Sequence, residues 1–225
     1  MKYKETISKR YFEIISIGLL TVLLGVLVYF VNTKMDFMIT SDDSSELLLA
    51  KLLASENGII STNWYYSTEL RVANFQIVAA ILFKFLNDWH LVRIITNIVM
   101  YAVLIGIYGY FCKKLKIGKY FIITAAMLII PFSWDYFKVI LVVPYYIPHI
   151  SITLATITLF YGYVNGESKR KAGIYAVSVS VLALIAGLGG MRQLTILYFP
   201  AFMASFIVAF YQTKSKASNK RYILI

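Results

Sequence analysis

Three carboxylates, Asp42, Asp43 and Glu46, fall within five positions in the stretch Ser41-Asp42-Asp43-Ser44-Ser45-Glu46, directly after a long apolar run. Acids crowded at a membrane boundary are costly unless they face water or do something. The polar, acid-rich stretch 39–71 is therefore where the chemistry of this chain is expected. Cations that could join it are Arg71, Lys84, Arg93 and Arg192; His90 and His149 are the two histidines, and Trp64, Tyr65 and Tyr66 form an aromatic cluster. Each has a plainer role available. Asp43-Ser44-Ser45-Glu46 is also a capping-box pattern, with Asp43 as the cap and Glu46 reaching back, which leaves Asp42 unexplained. Arg93 could snorkel to headgroups, Arg192 could anchor at the interface, and Arg71 could pair with Glu69. The rings, with Tyr145 and Tyr146, could belong to an interfacial belt. The histidines and acids raise a divalent-metal site, but no H-x-x-x-H spacing supports one. No Walker loop, G-x-G-x-x-G or G-x-S-x-G occurs, so nucleotide-driven transport and serine hydrolysis gain no support.

The elements that hold these groups are apolar. Hydrophobic residues make up 60% of the 225 residues and charged residues only 15%, and mean hydropathy is +0.72. A soluble domain would be roughly 45–50% apolar and about a quarter charged, so the composition predicts an all-α, polytopic integral membrane protein. The net charge of +11 would suggest nucleic acid in a soluble chain. Here the basic residues sit in short loops between apolar runs, and nucleic acid is not expected as a partner. The first apolar run is too long for a signal-peptide core. Cys112 is the only cysteine, which rules out an intramolecular disulfide.

Candidate spans are 14–31, 91–111, 120–134 (short), 148–164, 172–188 and 194–211, with 72–86 in doubt. Charge decides the doubtful segment. Basic clusters at 2–10, 113–119, 169–171 and 214–221 hold fifteen of the 22 Lys and Arg residues. If 72–86 lies flat on the outer surface, all four clusters are cytoplasmic, as the positive-inside rule asks. Six crossings then remain, both termini are inside, and eight of the eleven acids face outward. Phe75, Val78, Ala79, Leu82, Phe85 and Leu86 recur at helical spacing, as an interfacial amphipathic helix needs. A short helix is expected over 44–55, ended by Asn57-Gly58. The sequence thus predicts one transmembrane domain over 1–225, with a first outer loop at 34–90. The last four residues, Tyr222-Ile223-Leu224-Ile225, look like the start of a further apolar segment, so the chain is expected to be the N-terminal part of a longer protein.

The order of these features resembles the N-terminal part of the membrane GT-C glycosyltransferases, in the polyprenyl-phosphate-sugar-dependent branch that includes protein O-mannosyltransferases and lipid A aminoarabinose transferases. The acidic pair after the first span matches Asp42-Asp43-Ser44-Ser45-Glu46, and the Leu/Ala-rich helix that follows matches 47–54. The juxtamembrane helix matches 69–86, and the Arg-bearing motif that opens the second span matches Asp88-Trp89-His90-Leu91-Val92-Arg93. The Gly-rich stretch before a Pro-containing span is similar to Gly187-Leu188-Gly189-Gly190-Met191-Arg192-Gln193 with Pro200. The family's Pro-Pro after the linker is absent, and Pro148-His149 stands where an acid often opens the span.

The resemblance implies transfer of a sugar from a polyprenyl-phosphate donor to a glycan, lipid or protein acceptor at the outer face of the bilayer, in a bacterial plasma membrane. It implies Asp43, then Asp42, as the base, with Glu46 beside them. Arg71, Arg93, Arg192 and Lys84 would serve the phosphate, and Tyr65, Tyr66 and His149 the remaining substrate contacts. Some relatives use a divalent cation with the acidic pair. The rival readings are a non-enzymatic transporter or assembly factor, which would place charged or broken positions near the midplane of several helices, and an inactive truncated relative.

Overall fold

The computed structural model describes residues 2–66, 69–70, 72–165 and 168–215. Arg71 and most of the 214–221 cluster, with the apolar residues after it, lie outside the described residues. Regular structure among the described residues is helical throughout. Four helical stretches are long and apolar enough to cross a membrane: Arg10–Met38, Trp89–Lys114, Ile147–Val164 and Arg170–Leu188. The chain forms two compact units, Met1–Ser61 with Asn74–Pro148, and Thr62–Ala73 with His149–Ile225.

In the first unit, α1 (Lys2–Lys34) runs into a 3-10 turn, Met35–Met38. Leu27, Val31 and Met35, at i, i+4 and i+8, are buried, whereas Ile14, Ile15, Val22, Val26 and Tyr29 are exposed. One side of this helix meets protein and the other presents the apolar surface that lipid would cover. α2 (Ser41–Glu56) follows and ends at Asn57, whose φ of 54° makes it the left-handed residue of the Asn57-Gly58 turn. α3 (Phe75–Phe83) packs on α2 and on α4 (Trp89–Lys114). Its buried side is Phe75, Gln76, Ala79, Ala80 and Phe83, while Ile81 and Phe85 are exposed. The face expected to meet the membrane is thus partly turned into the protein, because α2 offers a partner surface.

α5 (Phe121–Met127) packs on α1 and α4. It is 7 residues long, well short of the roughly 20 that a crossing needs. The apolar run 120–134 is not one continuous helix: turns occupy 128–130, just before Pro131, whose ring disfavours helix in the residue it follows. α6 (Trp134–Tyr136) leads into a π-helical turn, Phe137–Val142, and the chain then becomes extended at Val143. Ile140, Leu141, Val142 and Val143 are buried, so the apolar end of this turn is covered by protein.

The second unit contains α7 (Ile147–Val164, whose first two residues belong to the first unit) and α8 (Lys169–Leu188). The two approach closely at Gly162, where a Cβ would stand 2.9 Å from the Tyr175 ring. After α8 the chain breaks at Gly189-Gly190. It resumes as α9 (Met191–Gln193), a π-helical turn Leu194–Tyr198 and α10 (Phe199–Ser215). Pro200 has no N–H to send back to Ile196, and the widened turn lies where that bond would be. The expected span 194–211 is therefore helical with a change of pitch.

Candidate functional site

The acidic stretch is held by the start of α2, three residues earlier than the sequence suggests. Thr40, in extended conformation (φ −102°, ψ 174°), is the N-cap, and Asp43 is the third residue of the helix. Asp43 Oδ2 accepts hydrogen bonds from the Thr40 N–H at 2.8 Å and from the Thr40 hydroxyl at 2.7 Å. The capping box is thus Thr40–Asp43, not Asp43–Glu46. The correction has a simple cause, since a hydroxyl or acid followed three residues later by an acid occurs twice here, in overlapping registers. Asp42 is exposed in the first turn, Asp43 is half-buried, and Glu46 is buried inside α2.

Asp88 caps α4, its Oδ1 accepting from the N–H groups of His90 (2.9 Å) and Leu91 (3.1 Å). This places His90, Arg93 and Asn97 on one side of α4 by the helical repeat. The Arg93 side chain is 17% exposed; its Nη2 donates to Asp36 Oδ1 at 2.5 Å, and Asp36 is 63% exposed. His90 Nδ1 lies 3.8 Å from the other oxygen of Asp36. Arg93 is thus held by a carboxylate of the 3-10 turn after α1. Its Nε is buried without an acceptor, and so is the Thr96 hydroxyl.

Farther along α4, Asn97 Nδ2 donates to the Val142 carbonyl at 2.7 Å, and the Tyr101 hydroxyl donates to the Leu141 carbonyl. These carbonyls end the π-helical turn and have no helical N–H ahead of them, so the side chains of α4 satisfy them. No local motif signals either role.

The two sets meet in one pocket. Its walls are Met35 and Ile39 after α1, Asp43 and Leu47 of α2, Phe75 of α3, Arg93, Thr96 and Asn97 of α4, and Val142, Val143 and Pro144 after the π turn. The empty volume is about 340 Å³, including the part open to the outside. This lies near the lower end of the range for small-ligand sites. One acid, one cation and an amide and hydroxyl pair face an otherwise apolar enclosure, an arrangement suited to a ligand with a charged or polar end and an apolar body.

Of the other sequence candidates in this unit, Lys84 ends α3 and is exposed, outside the pocket wall. Tyr145 and Tyr146 stack edge-to-face at 5.0 Å. The remaining candidates belong to the second unit. Tyr65 is exposed and Tyr66 half-buried. The His149 carbonyl accepts from Gln193 Nε2 at 2.8 Å and from the Thr153 hydroxyl at 2.9 Å, and that hydroxyl also lies 3.2 Å from Gln193 Oε1. Arg192 precedes Gln193 at the break after α8. There the Leu70 N–H donates to the Leu188 carbonyl at 3.0 Å. Glu69 packs on Gly190, whose φ of +105° and lack of a Cβ permit the approach; a Cβ would stand 2.7 Å from Glu69 Cγ.

Among the described residues no group of three or more His, Cys, Asp or Glu side chains is placed to hold a metal ion. Asp36 and His90, not predicted as a pair, lie 3.8 Å apart, and a separation of 57 positions between Asp36 and Arg93 hides that cluster from any local motif. No protein-family model, curated protein or solved structure matches the chain.

Proposed function

We propose that this chain is the catalytic membrane part of a polyprenyl-phosphate-sugar-dependent glycosyltransferase, integral to a bacterial plasma membrane, with Asp43 as its base. The observation that carries the reading is that Asp43 and Arg93 line one apolar-walled pocket. Asp43 stands ahead of Asp42 because Asp42 is not in that wall, and Asp43 keeps Oδ1 free of hydrogen bonds among the described residues while Oδ2 is held by Thr40. In the step proposed, the acceptor oxygen or nitrogen attacks the anomeric carbon and its proton passes to Asp43. The bond from that carbon to the phosphate oxygen breaks, the electron pair leaves on the phosphate, and the Arg93 guanidinium stabilises the charge. The topology that goes with this reading has the N-terminus in the cytoplasm and the pocket open outward.

One observation favours a transport role instead. The break at Gly189-Gly190 and the π-helical turn Leu194–Tyr198 interrupt the apolar helices on either side of them, as discontinuous helices do at transporter binding sites. A single experiment separates the two. Protein in proteoliposomes carrying a polyprenyl-phosphate hexose or pentose, with a soluble acceptor, should release polyprenyl phosphate. Asp43→Asn should slow that release by about 10²–10⁴-fold, and Asp42→Asn far less. Undiminished release in Asp43→Asn removes the base; movement of intact donor across the bilayer without bond cleavage supports transport.

A further inference from the structure

We infer that Asp36 is a positioning residue that holds Arg93 away from Asp43 and so keeps Asp43 free to accept a proton. Arg93 and Asp43 line the same pocket, and most of the wall between them is apolar. A guanidinium and a carboxylate in such surroundings attract several-fold more strongly than in water, so left alone they would pair. Asp36 prevents this from outside. It belongs to the 3-10 turn Met35–Met38, does not line the pocket, and takes Nη2 of Arg93 on Oδ1. The turn is pinned by Met35, which is 2% exposed. Thr40 completes the division by occupying Oδ2 of Asp43. The cation and the base of one pocket are thus each tethered to a different group.

The other titratable groups on the surrounding elements are Lys34 before the 3-10 turn, Asp42, Glu46, Lys51 and Glu56 on α2, Lys84 at the end of α3, Lys138 on the π turn, and on α4 His90 with the more distant tyrosines, Cys112, Lys113 and Lys114; none of them lines the pocket. His90, 3.8 Å from Asp36 Oδ2, is the one placed to compete for Asp36. As a statement about catalysis the inference rests on the transferase reading; as a statement about charge placement it does not.

The test is an infrared pH titration of the purified protein in nanodiscs, with the Asp43 carboxylate band assigned by its loss in Asp43→Asn. In Asp36→Asn, Arg93 turns to Asp43, and the pH at which that band appears should fall by about 1–3 units, as an adjacent cation produces. Asp36→Glu should restore the wild-type midpoint. Asp36→Asn combined with Arg93→Gln should also show no fall, because the cation is gone. Asp36 is exposed enough that the substitution leaves the fold intact, which a monodisperse elution profile verifies. An unchanged midpoint in Asp36→Asn overturns the inference, even if the protein transfers sugar normally. A shifted midpoint in a protein that cleaves no polyprenyl-phosphate sugar sustains it and removes the transferase reading instead.

Discussion

Thr40 is the residue on which the geometry of the proposed base depends most directly. Its N–H and hydroxyl both bind Asp43 Oδ2, so it starts α2 and fixes one carboxylate oxygen together. Thr40→Ala keeps the N–H contact and removes the hydroxyl. The loss should cost about 1 kcal/mol of stability, the usual worth of a helix N-cap. The Asp43 carboxylate would then be held by the N–H alone and less tightly oriented, and turnover should fall by more than stability does. Urea or thermal unfolding in detergent, set beside the rate of polyprenyl phosphate release, checks this. A variant that loses stability but keeps its full rate would show that Thr40 only begins the helix. Asp42 and Arg93 stand out in the sequence because charge beside long apolar runs is rare. Thr40 does not, because a threonine before an acidic cluster reads as one of several equivalent caps.

The element that organises the site is α4, whose polar side chains divide into two jobs. Near its start His90 and Arg93 meet Asp36, and deeper along it Asn97 and Tyr101 take the Val142 and Leu141 carbonyls. Polar groups inside an apolar helix need a partner that is worth their burial, and here the partner is the end of a π-helical turn. Asn97→Leu leaves the Val142 carbonyl buried and without its donor. The cost should be about 1–2 kcal/mol, between the small average for polar pairs in membranes and the larger penalty of an unsatisfied buried group. Val142, Val143 and Pro144 form one wall of the pocket, so the same variant should loosen ligand binding, and Tyr101→Phe should do so more mildly. Unfolding midpoints indistinguishable from wild type in Asn97→Leu would mean that water or another donor replaces the amide. The presence of α1, α4, α7 and α8 is legible from apolar run lengths alone. The early end of α5 and the π turns are not: run length measures hydrophobicity, and carbonyls released by a change of pitch leave no local pattern. Asp36 escaped for a related reason, since its partner lies on another helix and the charge looks like one outer acid among several.

At the scale of the whole molecule, the decisive segment is α3. It is 9 residues long, a rise of about 14 Å, less than half of a hydrocarbon core of about 30 Å. It also buries one side against α2 and α4. A crossing here would require a second helical stretch in line with it, and the described residues on either side are turns. In the topology proposed above, α3 returns the chain on the side where α1 delivers it, and α4, about 39 Å long by its 26 residues, carries it across. Single cysteines introduced into a Cys112→Ala background give the readout. Arg10→Cys and Lys119→Cys should react with an impermeant maleimide only from the cytoplasmic side, and Lys84→Cys only from the outer side. Labelling of Arg10→Cys and Lys119→Cys from opposite faces would make α3 part of a crossing. It would also place the Lys113, Lys114, Lys116 and Lys119 cluster outside, against the positive-inside rule. The two measurements thus bear on one another, because the charge pattern and the length of α3 are independent properties that have to select the same topology.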